Sequence, residues 1–163
     1  LIIYRELYQK GLTGVDLGSR ITEMELNDPY SVQGVLDTAA WARTGTTGPT
    51  VGESLIRAGH KLRRADKNRI QGKIQIHEYL KVQQSGRPRL QIFNNCPNLI
   101  RELQSIPLDR TNPEDVDTHA PDHAYDALRY LIMSRPRIQD SFSRIRNLHL
   151  EQAYTPADSD FGY

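Results

Sequence analysis

The stretch Asp122-His-Ala-Tyr-Asp-Ala-Leu-Arg-Tyr-Leu-Ile-Met-Ser134 decides how the chain is read. Ala124, Leu128, Leu131 and Ile132 recur at the spacing of one helical face, so the stretch predicts an amphipathic helix. Pro136 ends it. Asp122 opens the helix and Asp126 follows one turn later, which puts both carboxylates on one side. Far upstream, Val35-Leu36-Asp37 predicts a short apolar strand with an Asp at its carboxyl end. That edge of an open α/β sheet is where ligands bind. If Asp37 and Asp122 face each other, they form a cluster of hard oxygen ligands suited to Mg²⁺ or Mn²⁺. Close carboxylates repel one another, and a bound cation relieves that cost. Such a site can run phosphodiester hydrolysis with two ions about 3.5–4 Å apart, one activating water and one stabilising the leaving oxygen.

Outward from these two segments, strands and helices alternate. Leu1-Ile-Ile-Tyr4 predicts a strand already under way, which leads us to expect further sequence upstream. Residues 15–26 carry a helical pattern, ended by Asn27, Asp28 and Pro29. Residues 44–50 form a Gly- and Thr-rich loop, residues 51–58 a helix stopped at Gly59, and residues 60–64 a short strand. Asp66 or Asn68 starts the next helix, which runs to about Gln83 with Ile70, Ile74, His77, Leu80 and Lys81 on related faces. A turn at Gly86-Arg-Pro88, a strand at residues 90–93 and a helix at residues 97–103 follow; Pro97 suits a first helical turn. Residues 107–120 are a polar loop. Beyond Arg135, Ile138, Phe142, Ile145 and Leu148 fit one more amphipathic helix, and residues 154–163 a mobile tail. The alternation predicts an α/β layered domain.

Composition narrows the function classes. The chain has 163 residues, enough for one domain, and no apolar run of about 18 residues that would span a membrane. No secretory signal is visible at the N-terminus. A single cysteine, Cys96, excludes an intramolecular disulfide framework and points to a reducing compartment. Net charge is +1, but it is unevenly spread. Residues 57–73 hold seven basic residues and one acid; residues 113–126 hold five acids and no Lys or Arg. The first segment is suited to phosphates and the second to divalent cations.

Each candidate also has a structural reading. Asp37 can form a turn, Asp122 can cap its helix, and Asp126 can be a solvated partner of Arg129 or Tyr130. His123 is either a proton-transfer group near the cluster or an exposed histidine at a helix start. His60, His77 and His119 lack zinc-ligand spacing, and Cys96 reads as a structural residue. The basic segment can be a solvated face. Residues 44–50 lack the Lys-Ser/Thr ending of a phosphate loop, which argues against an ATP site in this chain.

Several segments together resemble a known family. They are Tyr4-Arg-Glu-Leu-Tyr8, Lys10-Gly-Leu-Thr-Gly14, Val35-Leu-Asp-Thr38, Ala65-Asp-Lys-Asn-Arg69, Gly86-Arg-Pro88, Ile92-Phe-Asn-Asn-Cys96, Asn98-Leu-Ile-Arg-Glu102, Asn112-Pro-Glu-Asp-Val-Asp117 and the motif from Asp122 to Tyr130. In order and spacing they resemble the C-terminal nuclease domain of tailed-phage terminase large subunits, over residues 1–136. The resemblance implies a ribonuclease-H-like mixed sheet flanked by helices, with residues 137–163 as a C-terminal extension or tail. It implies a two-metal-ion endodeoxyribonuclease, using Mg²⁺ or Mn²⁺, that cuts concatemeric phage DNA during genome packaging in the host cytoplasm. The implied partners are double-stranded DNA, an ATPase motor domain upstream in the same protein, the portal and the small terminase subunit, with no membrane.

Of the family's three catalytic carboxylates, the second maps onto Asp37 and the third onto Asp122, with Asp126 the other candidate in the same motif. The first is expected on a strand before Leu1, so the chain is expected to be a fragment of the domain or a version with a defective site. Glu6 is a candidate accessory ligand. On this reading Arg63, Arg64, Lys67, Arg69 and Lys73 hold DNA phosphates, with Arg87 and Arg89 as further candidates. Two alternatives stay open. One is a non-catalytic module that docks DNA, a portal or a motor, with residues 137–163 as the docking element. The other is a different ribonuclease-H-like enzyme, such as a Holliday-junction resolvase or a transposase.

Overall fold

Local capping chemistry sets where the helices begin. Thr13 and Asp16 form a reciprocal capping box, with the Asp16 N–H donating to Thr13 Oγ1 at 3.2 Å and the Thr13 N–H donating to the Asp16 carboxylate at 3.2 Å. They start α1, Gly14–Glu25. Thr50 and Glu53 repeat the device for α2, Val51–Arg57, and Gly59, at φ +97°, closes the turn after it. Of the two candidate starts for α3, Asn68 is the cap: its Oδ1 accepts the Gln71 N–H at 3.0 Å. The structure, a computed structural model, describes residues 1–43 and 48–135. The C-terminal helix and tail expected beyond Arg135, and most of the 44–50 loop, lie outside the described residues.

The element order is β1 (Ile2–Ile3), α1, β2 (Gln33–Leu36), a 3₁₀ turn at Thr38–Trp41, α2, β3 (Lys61–Arg64), α3 (Arg69–Leu80), β4 (Gln91–Ile92), α4 (Pro97–Ser105) and α5 (His123–Met133). This is a mixed α/β arrangement. The mixed sheet expected from the sequence is not formed by the described strands. They make two parallel pairs instead, β1 with β4 and β2 with β3, in the registers Ile2↔Gln91 and Gln33↔Lys61. Parallel neighbours need a crossover, and α2 supplies it between β2 and β3. Helix α3 ends at Leu80, short of Gln83, because Val82 bridges Pro88 across a turn closed by Gly86 at φ +77°.

The core joins Ile76 and Tyr79 of α3, Leu90, Cys96, Leu99 of α4, Val116, and Tyr125, Leu128 and Ile132 of α5. The α3 stripe of Ile70, Ile74, His77 and Leu80 faces outward; Gly72, Gln75, Ile76 and Tyr79 are the buried residues of that helix. On α5 the buried face also takes in Arg129 and Tyr130, which the apolar pattern does not include. Arg129 fits because Gly72 has no side chain: a Cβ there would stand 2.4 Å from Arg129 Cγ. Among the described residues no helix is long and apolar enough to cross a membrane.

Gly72→Ala tests this packing. In an unobstructed helix the change would stabilise by about 1 kcal/mol. Here overpacking against Arg129 should destabilise by about 1–3 kcal/mol, read as a lower urea midpoint at unchanged m-value. A raised midpoint would refute the close α3–α5 contact.

Candidate functional site

Asp37 stands at the carboxyl end of β2 and caps the 3₁₀ turn that follows, its Oδ1 accepting the Ala39 N–H at 2.6 Å. The turn-forming reading therefore holds for one oxygen. The other oxygen accepts the Tyr130 hydroxyl, 93 residues further along. That hydroxyl holds the Asp37 carboxyl below its ordinary range; the Ala39 N–H adds to the effect, burial opposes it, and Lys67 and Arg129 assist. Tyr130 is pushed the other way, by burial first and then by the Asp37 carboxylate. Its oxygen also lies 3.4 Å from Asp126 Oδ2, so one phenol spans both carboxylates. A phenol has one proton to give, and the closer acceptor is Asp37.

Asp126 is paired with Arg129, whose Nε donates to its Oδ1 at 3.0 Å, and stands 3.9 Å from Arg69 Nη1. The Arg129 partnership expected from sequence is present but not solvated, since the Arg129 side chain is 3% exposed. Its guanidinium lies 4.4 Å from the centre of the Tyr130 ring. Arg69 also donates to Asp115 Oδ2 at 2.8 Å.

Asp122 occupies the N-cap position of α5 by backbone, yet its side chain makes no capping hydrogen bond. Glu102 of α4, 1% exposed, caps the helix instead. One of its oxygens accepts the Ala124 N–H at 2.7 Å and the Tyr125 N–H at 2.9 Å. Asp122 is left 14% exposed with a long pair, 3.7 Å, to His123 Nδ1. Its carboxyl is raised above the ordinary range, by burial first and then by the Asp126 carboxylate.

In kind, the donors suit a hard divalent cation: Asp37 and Asp122 are carboxylates, and the Asp122 carboxylate carries a penalty that positive charge relieves. In number, no three His, Cys, Asp or Glu side chains among the described residues form a metal-sized group. Asp126 already has arginine neighbours. Glu6 is also committed, and the accessory-ligand expectation meets a structural role. Its carboxylate accepts the Asn98 and Leu99 N–H groups at 2.9 and 3.1 Å, capping α4 where Cys96 offers no side-chain cap. Cys96 is fully buried, and burial pushes its thiol up, in keeping with a structural residue.

Most basic residues of the 57–73 run have partners within the protein. Arg63 donates to the Ser134 carbonyl at 2.6 Å, and Arg64 stacks on Trp41 at 5.3 Å. Arg69 holds Asp115, and Lys73 donates to the Pro113 carbonyl at 3.1 Å. Lys67 is exposed, and its charge acts on Asp37. His123 is 75% exposed and His119 92% exposed. Two roles escape sequence reasoning: the bond from the Tyr130 hydroxyl to Asp37, where the sequence offers only Asp126 as its partner, and the cap that Glu102 supplies. Tyr130 had one available signal, since a buried tyrosine needs a partner for its hydroxyl. Glu102 had none, because it sits in a segment that reads as an ordinary polar helix. Comparison with family models, with curated proteins and with solved structures found no match to this chain.

Two substitutions separate the carboxylates. Asp37 has a depressed folded-state pKa, so its stabilisation is present above pH of about 4 and lost as pH falls through the folded value. Tyr130→Phe should remove about 1.5 kcal/mol at pH 7, shrinking toward acid, and should raise the Asp37 pKa in a ¹³C carboxyl titration. Asp122 has the opposite sign: its ionised form disfavours the fold. Asp122→Asn should raise the thermal midpoint at pH 7, and the gain should vanish below pH of about 4. A lower midpoint at pH 7 would mean that the carboxylate stabilises the fold.

Proposed function

We propose that this chain is a metal-dependent endonuclease domain acting on double-stranded DNA, of the ribonuclease-H-like kind implied by the terminase large subunit resemblance. One observation carries the reading. The Tyr130 hydroxyl binds Asp37, which draws the Asp-Ala-Leu-Arg-Tyr motif of α5 onto the carboxyl end of β2. Asp37 and Asp122 would hold Mg²⁺ or Mn²⁺, with Asp126 oriented by Arg129 at their side. When bound, such ions supply an activated water and offset charge at the scissile phosphate. The chain's own residues prepare the site. Tyr130 and the Ala39 N–H keep Asp37 ionised, and Glu102 leaves the Asp122 carboxylate free of capping. On this proposal the packaging partners are a motor domain, a portal and a small subunit, and the setting is the host cytoplasm.

A second reading has its own support. Both Asp37 oxygens already accept protein donors, and Asp126 faces two arginines. A stable ion-pair network of that sort suits a non-catalytic docking module equally well.

Plasmid nicking by the 163-residue chain decides between them. The nuclease reading expects nicking in Mn²⁺, none in EDTA, and a loss of about 10²-fold or more in Asp37→Ala. No nicking in Mn²⁺ by this chain or by one extended upstream to include the expected first-strand carboxylate, with DNA binding unchanged in Asp37→Ala, would favour the docking reading instead.

A further inference from the structure

We propose that the DNA backbone reaches Asp122 across a surface that carries the cations Lys10 and Arg101 beside the imidazoles of His119 and His123, and not along the basic run of residues 57–73. The inference rests on the nuclease reading and deepens it by assigning the substrate's path. A cavity of about 550 Å³ opens beside Asp122. The chain beyond β1 contributes Tyr8 and Lys10 to its wall, α4 contributes Arg101, the loop before α5 contributes His119, and the first turn of α5 contributes His123. Three segments distant in sequence, the last running from His119 into α5, thus bring basic side chains to one opening.

These side chains are available to a ligand. Lys10 and Arg101 are exposed, and Arg101 donates from Nη2 to Asn98 Oδ1 at 2.8 Å within its own helix, so further guanidinium N–H groups face outward. His119 turns Nδ1 to Asp117 at 3.0 Å, and its ring is otherwise open to solvent. Acids also approach the opening: Asp117 and Asp122 each stand beside one of the two histidines, Asp109 acts on His119, and Glu102 and Glu6 act on Tyr8. Tyr8 packs beside His123, ring centres 6.5 Å apart, and gives the opening an aromatic flank.

The 57–73 run differs in one physical respect. Phosphate binding gains from cations that exchange small counterions for DNA phosphates. A guanidinium already bonded to a carboxylate, or an ammonium seated on backbone carbonyls, must first break those contacts. Arg69 and Lys73 are so placed, Arg63 is bonded to a carbonyl, and Arg64 is stacked on an indole. Lys67 alone of the five candidates is exposed with its charge directed toward the site, at Asp37.

Fluorescence anisotropy with a 30-base-pair duplex in EDTA reads binding without cleavage. Lys10→Ala/Arg101→Ala should weaken binding about tenfold and reduce the slope of log K against log salt by about 2, one for each phosphate contact. Arg64→Ala/Lys73→Ala should leave both within about twofold of the wild type. Thermal midpoints of both variants serve as the folding control. A loss confined to the Arg64/Lys73 variant would overturn this surface and leave the nuclease reading standing. A wild-type chain that binds no duplex would overturn both.

Discussion

The two hydrogen bonds from the first turn of α5 to the Glu102 carboxylate fix the rest of the site. A buried carboxylate loses its hydration, and the free N–H groups and positive dipole end of a helix offset that loss. Because Glu102 belongs to α4, the pairing locks α5 in register with α4. Everything further along α5 then follows at fixed rotation. Arg129 meets Gly72, Leu128 and Ile132 enter the core, and Tyr130 arrives at the end of β2. Glu6 does the same one step earlier, holding α4 from the segment after β1. Two carboxylates in series thus tie the N-terminal strand to α4 and α4 to α5.

This device explains why α5 could be found from its sequence while the purpose of its first residue could not. An aspartate before an apolar periodic run has the pattern of a cap, and by backbone Asp122 takes that position. Which carboxylate accepts from the free N–H groups is a tertiary matter, settled by a residue twenty positions away on another helix. The elements themselves were legible wherever local chemistry dominates. Thr50, Asn68 and Gly59 mark their boundaries in the sequence and in the fold.

Strand pairing was less legible. Strands of two and four residues carry too little alternation to show which partner they choose, and both observed pairs are parallel and close through long crossovers. The face of α3 was misleading for a different reason. Ile70 and Ile74 form the obvious stripe, but the close approach of α5 depends on Gly72, a residue that contributes nothing to hydrophobic periodicity. The basic run was legible as composition alone. Its intramolecular partners, Trp41, Asp115 and the Pro113 and Ser134 carbonyls, are distant in sequence and leave no trace in a charge count.

The site places its carboxylates in opposed environments. A phenol and a backbone N–H favour the ionised form of Asp37, whereas burial and the Asp126 carboxylate disfavour that of Asp122. Asp126 is balanced by arginines on α5 and α3. If stability alone shaped the cluster, an uncharged side chain at position 122 would serve better, since α5 is already capped by Glu102 and Asp122 has only a long pair to His123. On the proposed nuclease reading, positive charge brought by a ligand would relieve the penalty that burial and Asp126 place on the Asp122 carboxylate. The same logic separates Asp122 from Asp126 as a cation ligand. The arginines satisfy Asp126 within the protein, while Asp122 keeps an electrostatic deficit that a cation would remove.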